Sequence, residues 1–399
     1  MRIAIDLMVA EKEPGGLLFA ARALLEGLAR LDQMNEYIII TTHPENYQAL
    51  AVAPNISIYK VKLRSWKGLL LQHQLLLPDV LQRIRPDVLH APAFAAPVGW
   101  HGPLVVTVHD LGFLKAPARS FSLYTCFYWQ YLLRESVRRA KCVIAVSEQT
   151  REELISYWSV KSENICLIHN ALRSSLDFSK VSTEEIQAIH QRNGERYLLH
   201  IGRIIPRKNI GVLVQAFNEL AARFDDLHLV LTGGVGQGGK EAVQQIETSP
   251  YKERIHMVGW VNDEELSTLY LGAEALVFPS THEGFGLPIV EAMTCGTPVV
   301  ASPEAASREV AGEAVVRVNC TDASTLANTI AGVLTDKELR GRLAELGKVQ
   351  AKMFSIENCA KATLDVYQAA YDANKLQPLS SSPDHVQRSE LEKILIRLT

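Results

Sequence analysis

Short β-branched runs alternate with amphipathic helical patterns along nearly all of this chain. The alternation stops once, in a polar stretch over residues 173–196, and then restarts. In the first half the apolar runs fall at residues 3–7, 37–41, 56–61, 88–90, 104–108 and 143–146. Helical periods over 17–31, 70–84 and 123–139 lie between them. In the second half the runs fall at 197–201, 227–231, 255–258, 275–278 and 299–301, again with helices between. Strand, helix, strand in repetition means βαβ units and a parallel sheet. The expected fold class is therefore α/β, with two doubly wound domains in tandem and a cleft between them as the default ligand site. One further helical pattern covers 354–371. The segment after Lys375 is expected to be a tail, with a short helix over 390–398.

At 399 residues and 47% hydrophobic, the chain is long enough for two ordinary cores. Its 41 basic and 44 acidic residues leave a formal charge of −3, which argues against a nucleic-acid-coating protein. The N-terminus opens directly as a strand, without the pattern of a secretory leader, and no apolar run reaches membrane-spanning length. The cysteines (126, 142, 166, 295, 320 and 359) form no Cys-x-x-Cys pair and are expected to be reduced, buried thiols of a cytoplasmic protein.

The chemistry concentrates in His282-Glu283-Gly284-Phe285-Gly286-Leu287-Pro288-Ile289-Val290-Glu291. On a helical face, eight residues span about 12 Å. That separation exceeds the roughly 5–10 Å of paired carboxylates that share one reacting bond. It suits two hydroxyl-bearing parts of one elongated ligand, such as the hexose and the ribose of a sugar nucleotide. Gly284 and Gly286 permit tight backbone geometry, and Pro288 suits a first helical turn. A helix dipole explains Glu283 but not Glu291, which lies deeper in apolar sequence.

Other segments bear on anions. In Gly202-Arg203-Ile204-Ile205-Pro206-Arg207-Lys208-Asn209 a buried strand runs through glycine into a helix start, where N–H groups attract phosphate and Arg203 and Lys208 add charge. Arg207 and Asn209 stand where a Walker loop needs glycine and a hydroxyl, so that reading fails. Gly234, Gly236 and Gly239 match Gly-x-Gly-x-x-Gly but follow the second strand of their half rather than the first. A flexible turn is the expectation there, with a nicotinamide oxidoreductase as the alternative. Pro14, Gly15 and Gly16 precede the first long helix and permit close ligand approach. His109 ends the apolar strand 104–108, where open α/β sheets place their chemistry.

Assembled, these residues resemble the retaining glycosyltransferases of family 4, which have the GT-B fold of two Rossmann-like domains facing across a cleft. Val143-Ile144-Ala145-Val146-Ser147 and Cys295-Gly296-Thr297-Pro298-Val299-Val300 fit further blocks of that family. The resemblance implies an acceptor-binding domain over 1–175 joined by a crossing helix over 354–373. It further implies a linker over 176–195, a donor domain over 196–353 and a tail over 376–399. It implies that Glu283 contacts hexose hydroxyls, that Glu291 binds ribose, and that Arg203 and Lys208 hold the diphosphate. Gly15 and Gly16 would lie beside the donor phosphates, Gly284, Phe285, Gly286 and Leu287 would touch sugar and phosphate, and 256–261 would lie near the base. His109 would face the reacting sugar.

The expected reaction moves a hexose from a nucleoside diphosphate to a hydroxyl of a glycan or glycolipid, with retention. Fixed cations would take the work of a divalent ion, so neither metal nor cofactor is expected. GDP-mannose is the first expectation for the donor and UDP-glucose the second. The competing readings are a sugar-nucleotide epimerase or hydrolase, the oxidoreductase, and a non-catalytic sugar-nucleotide binder. Lys60, Lys62, Arg64 and Lys67 around Trp66, with Arg134, Arg138, Arg139 and Lys141, raise peripheral contact with anionic lipid at the inner membrane face.

Overall fold

The computed structural model describes residues 1–12, 15–63, 68–93, 95–115 and 129–375. Two wholly parallel sheets organise them. The first contains β1 (Arg2–Asp6), β2 (Glu36–Thr41), β3 (Ile56–Lys60), β4 (Val88–Ala91), β5 (Leu104–Val108), β6 (Cys142–Ala145) and β7 (Ile165–Leu167), in the order β3-β2-β1-β4-β5-β6-β7. The second contains β8 (Arg196–Ile201), β9 (Leu227–Thr232), β10 (Ile255–Gly259), β11 (Ala275–Phe278), β12 (Val299–Ala301) and β13 (Val316–Arg317), in the order β10-β9-β8-β11-β12-β13. Each order reverses beside its first strand, at β1/β4 and at β8/β11. That reversal opens a crevice at the carboxyl ends. Every residue of β4, β5, β6, β11 and β12 is buried, as expected for strands covered on both faces. The fold is GT-B, as the resemblance implied.

The segment 176–195, expected as a linker, is not a loose connector. Ser182 and Glu185 form a reciprocal capping box that starts helix Thr183–Asn193. Its Ile189 joins the second core beside Tyr197 and Leu269. A mostly polar helix with one apolar contact reads as linker in sequence. The glycines 234–239 do contain a turn, at 237–239, but it is held against the neighbouring loop. Ile204 N–H donates to Gly234 O (3.0 Å) and Gly236 N–H to Ile204 O (3.0 Å). A Cβ on Gly239 would lie 2.1 Å from Ile204 O and one on Gly236 2.4 Å from Ile205 Cγ2, so these two glycines serve loop-to-loop packing. Of the helix expected over 123–139, the described part is a π-turn at Trp129–Leu133 and a helix at Arg134–Arg139. The tail, its terminal helix, Pro14, Arg64, Trp66, Lys67 and Cys126 lie outside the described residues.

The chain crosses between the sheets twice, and the crossings touch where Leu172 N–H donates to Phe354 O (3.1 Å). After the second crossing, helix Ile356–Lys375 packs on helix Gly16–Leu31 of the first domain. A Cβ on Gly27 would meet Ala360 Cβ at 2.6 Å, so glycine is needed for this approach. Tyr367, fully buried, reaches His90 Nδ1 at 2.7 Å on β4. Burying such a side chain stabilises the docking by roughly 2–3 kcal/mol.

Candidate functional site

Between the domains lies a cavity of about 280 Å³. The residues assigned to catalysis and donor binding line it: Gly15, Gly16, His109, Arg203, Lys208, Glu283, Gly284, Phe285, Gly286, Leu287 and Glu291; of 256–261, expected near the base, Trp260 and Val261 do. Glu283 and Glu291 thus face one space rather than two. Gly286, at φ +97°, caps helix Leu287–Cys295, and Pro288 sits in its first turn. This turn carries the helix start to the cleft while Glu291 follows on the cavity-facing side. Across the cleft, Gly16 lies near enough that a Cβ there would contact Leu287 Cδ1 at 3.8 Å.

Around Glu283 the site is a cluster of buried charge. Lys208 Nζ lies 2.6 Å from Oε1 and Arg207 Nη1 3.0 Å from Oε2. Burial alone would raise the Glu283 carboxyl. Arg207 and Lys208 override it and hold the pKa at about 2. Burial pulls the Lys208 ammonium below its usual value, against the opposing pull of Glu283. Glu283 lifts the Arg207 guanidinium above its usual value. Lys208 also lies 4.7 Å over the Phe278 ring. Gly202, at φ +141°, leaves room for the lysine stem, since a Cβ there would sit 3.1 Å from Lys208 Cε. Arg203 is exposed at the cavity edge, with its guanidinium beside Gly236.

Glu291 has separate partners. Tyr270 donates to its Oε2 (2.6 Å) and Arg173 Nη2 approaches Oε1 (3.3 Å). Burial raises the Glu291 carboxyl above the ordinary range, opposed by Arg173 and Tyr270. On the opposite wall, His109 Nε2 donates to the Pro92 carbonyl (2.8 Å). Dense surroundings lower the His109 pKa by desolvation, opposed by that carbonyl and Asp110. A neutral ring donating through Nε2 leaves Nδ1 as an acceptor.

The domains meet with almost no tolerance. A Cβ on Gly284 would lie 1.7 Å from His109 O, and one on Gly112 would lie 2.6 Å from His282 Cδ2. His282 Nδ1 lies 3.1 Å from Gln149 Nε2, and Gln149 Oε1 accepts from Ala306 N–H (2.8 Å). Several residues of the site went unforeseen: Arg207, Arg173 and Phe19, which line the cavity, and Tyr270, buried behind Glu291. Arg207 adjoins Lys208 in sequence and could have been read as a second cation of that loop. The others are brought in by tertiary packing alone.

Two cations of the second basic group are already engaged. Arg139 is no free surface cation, because it donates to the carbonyls of Pro97, Val98 and Trp100. Arg138 pairs with Glu135. Cys142 and Cys166 lie 2.8 Å apart at sulfur on neighbouring strands, a proximity their spacing did not suggest. Among the described residues no group of three or more His, Cys, Asp or Glu side chains is placed to hold a metal ion, and no helix is long and apolar enough to cross a membrane.

Residues 14–175 match the family described as Glycosyltransferase Family 4, and residues 182–350 match that described as Glycosyl transferases group 1. O-antigen chain mannosyltransferase B of Escherichia coli is 33% identical over 285 residues, covering 67% of this chain and 74% of its own. The chain belongs to the family 4 glycosyltransferases. It is accordingly a glycosyltransferase enzyme. O-antigen chain mannosyltransferase RfbU of Salmonella typhimurium is 30% identical, over 57% of this chain and 60% of its own. Against the serotype-specific mannosyltransferase WbdA of Escherichia coli the identity is 29%, and the match spans only 30% of that longer protein. Among solved structures, HepE of Anabaena in complex with UDP and glucose superposes with a TM-score of 0.72 at 19% identity, covering 92% of this chain and all of that one. WaaG, a glycosyltransferase involved in lipopolysaccharide biosynthesis, gives 0.70 at 16% identity, covering 92% of this chain and 99% of that one. These likenesses establish the family 4 enzyme's GT-B fold.

Proposed function

We propose that this glycosyltransferase moves mannose from GDP-mannose to a hydroxyl of a glycan or lipid-linked glycan, with retention of anomeric configuration. The observation that carries the reading is the pair of acids, Glu283 and Glu291, lining one cavity with separate cationic partners. Glu283 receives the hexose hydroxyls and Glu291 the ribose. In this reading Arg203 and Lys208 hold the diphosphate. The choice of mannose leans on the mannosyltransferases among the relatives.

Charge develops on the departing diphosphate as the glycosidic bond breaks. Preorganised cations relieve it without reorganising at the moment of reaction. Arg203 presents planar donors suited to phosphate oxygens. Lys208 supplies a point charge whose counterion, Glu283, turns its free acceptor capacity to the sugar. The acceptor oxygen attacks from the face the diphosphate leaves, and a phosphate oxygen takes its proton. His109, neutral and half-open to the cavity, accepts a hydrogen bond from a sugar hydroxyl through Nδ1. No divalent ion is needed in this scheme.

A thermal-shift screen of nucleotide sugars tests the donor, because a ligand that binds only the folded state raises its melting point by mass action. GDP-mannose is expected to give the largest shift. A larger one from UDP-glucose would reassign the donor. Product NMR showing an inverted anomeric centre would remove retention. For a lipid-linked acceptor, the exposed Leu71 and Leu75 on helix Leu69–Ile84 offer a face toward the bilayer. Failure of the chain to co-sediment with liposomes would discard that contact.

A further inference from the structure

Arg173 sits one residue beyond the contact at which the two interdomain crossings touch. It is buried, yet it lines the donor cavity. Its guanidinium does three things at once. Nη1 lies 2.8 Å from Asp263 Oδ1, and Nη2 lies 3.3 Å from Glu291 Oε1. Its face lies 3.9 Å from the centre of the Phe19 ring. Phe19 belongs to the first domain's helix Gly16–Leu31 and stacks on Trp260 of the second domain, with centroids 6.0 Å and planes 21° apart. Arg173 thus touches both the acid assigned to ribose and the aromatic pair that bridges the domains beside it.

We propose that Arg173 is a positioning residue: it fixes Glu291 and Phe19 in the geometry that receives the nucleoside end of the donor. The proposal rests on the donor reading above. The physical case is one of shape. A guanidinium is flat and forked, so it can bridge two carboxylates with its edge while an aromatic ring covers its face. An ammonium offers a single point and cannot do both. Without Arg173, the buried Glu291 would face the half-buried Asp263 with no cation between them, and Glu291 would turn away or take a proton. Phe19 would lose the surface it rests on, and the stack with Trp260 would loosen.

The test is calorimetric titration of the full chain with GDP and UDP. Arg173→Met is expected to weaken the preferred diphosphate on the order of tenfold or more, the scale of a charged hydrogen-bonding contact. Arg173→Lys should recover only part of this, and it keeps the test open should the methionine variant fail to fold. Double variants separate positioning from general damage. With Glu291→Gln, Arg173→Met should add little further loss. With Arg203→Met, at the diphosphate, the losses should multiply. Wild-type affinity in a folded Arg173→Met or Arg173→Lys variant overturns the proposal, as does equal non-additivity with both partners. If the wild-type chain binds neither diphosphate, the donor reading itself falls and takes this proposal with it.

Discussion

Replacing Lys208 with methionine, which keeps the stem and removes the charge, should separate stability from catalysis. Glu283 has its carboxyl lowered from 4.5 to about 2 by two cations that overcome its burial. A displacement of that size corresponds to about 3 kcal/mol. Arg207 remains 3.0 Å away in the variant, so Lys208 accounts for only part of it, on the order of 1–2 kcal/mol. For a domain of this size such a loss lowers the melting temperature by roughly 2–8 °C. The chain should therefore still fold. Turnover should fall far more, by about 10²–10³, because a preorganised donor facing developing negative charge is worth that much. The assay is nucleoside diphosphate release at saturating donor, alongside thermal melts and donor titration. A folded variant with near-wild-type kcat would refute the reasoning. So would a raised KM with kcat intact, which would mean that the lysine holds ground state and transition state alike.

Other outcomes follow from the same geometry. Gly284→Ala should leave each domain folded but prevent the closed contact, since its Cβ would lie 1.7 Å from His109 O; small-angle scattering should show a wider particle and activity should be lost. His109→Ala should retain donor binding by calorimetry and lose turnover, whereas full activity would remove His109 from the reacting face. In acid, Glu283 predicts a signed effect. Its folded pKa is depressed, so its contribution is present above about pH 4.5 and is lost as pH falls towards 2. The stability gap between wild type and Glu283→Gln should close over that window in melts at stepped pH, and a gap independent of pH would contradict the ion pair.

Much of this was legible from residue order. The runs at 104–108, 275–278 and 299–301 are β5, β11 and β12 residue for residue, because strands buried on both faces write continuous apolar sequence. β7 and β13 were not foreseen. They are edge strands of three and two residues, too short to carry any period. Helix Thr183–Asn193 was hidden by its polar composition despite its capping box, since it buries little beyond Ile189 and Asn193. In the site, the two glutamates and the cations near Gly202 were readable because one turn and one loop carry them. Arg173, Phe19 and Tyr270 were not, because their role exists only once distant elements are packed together. Arg139 misled for the converse reason: nothing in its local sequence shows that its donors are already taken by carbonyls some forty residues earlier.

The two crossings that touch at Leu172 and Phe354 have a consequence for how the molecule comes apart. Proteolysis at the exposed turn Ser174–Ser175 would sever one thread only. The other, ending in Tyr367 lodged beneath β4, would keep both halves clasped. A nicked sample should therefore elute as one particle in gel filtration yet run as two bands once denatured.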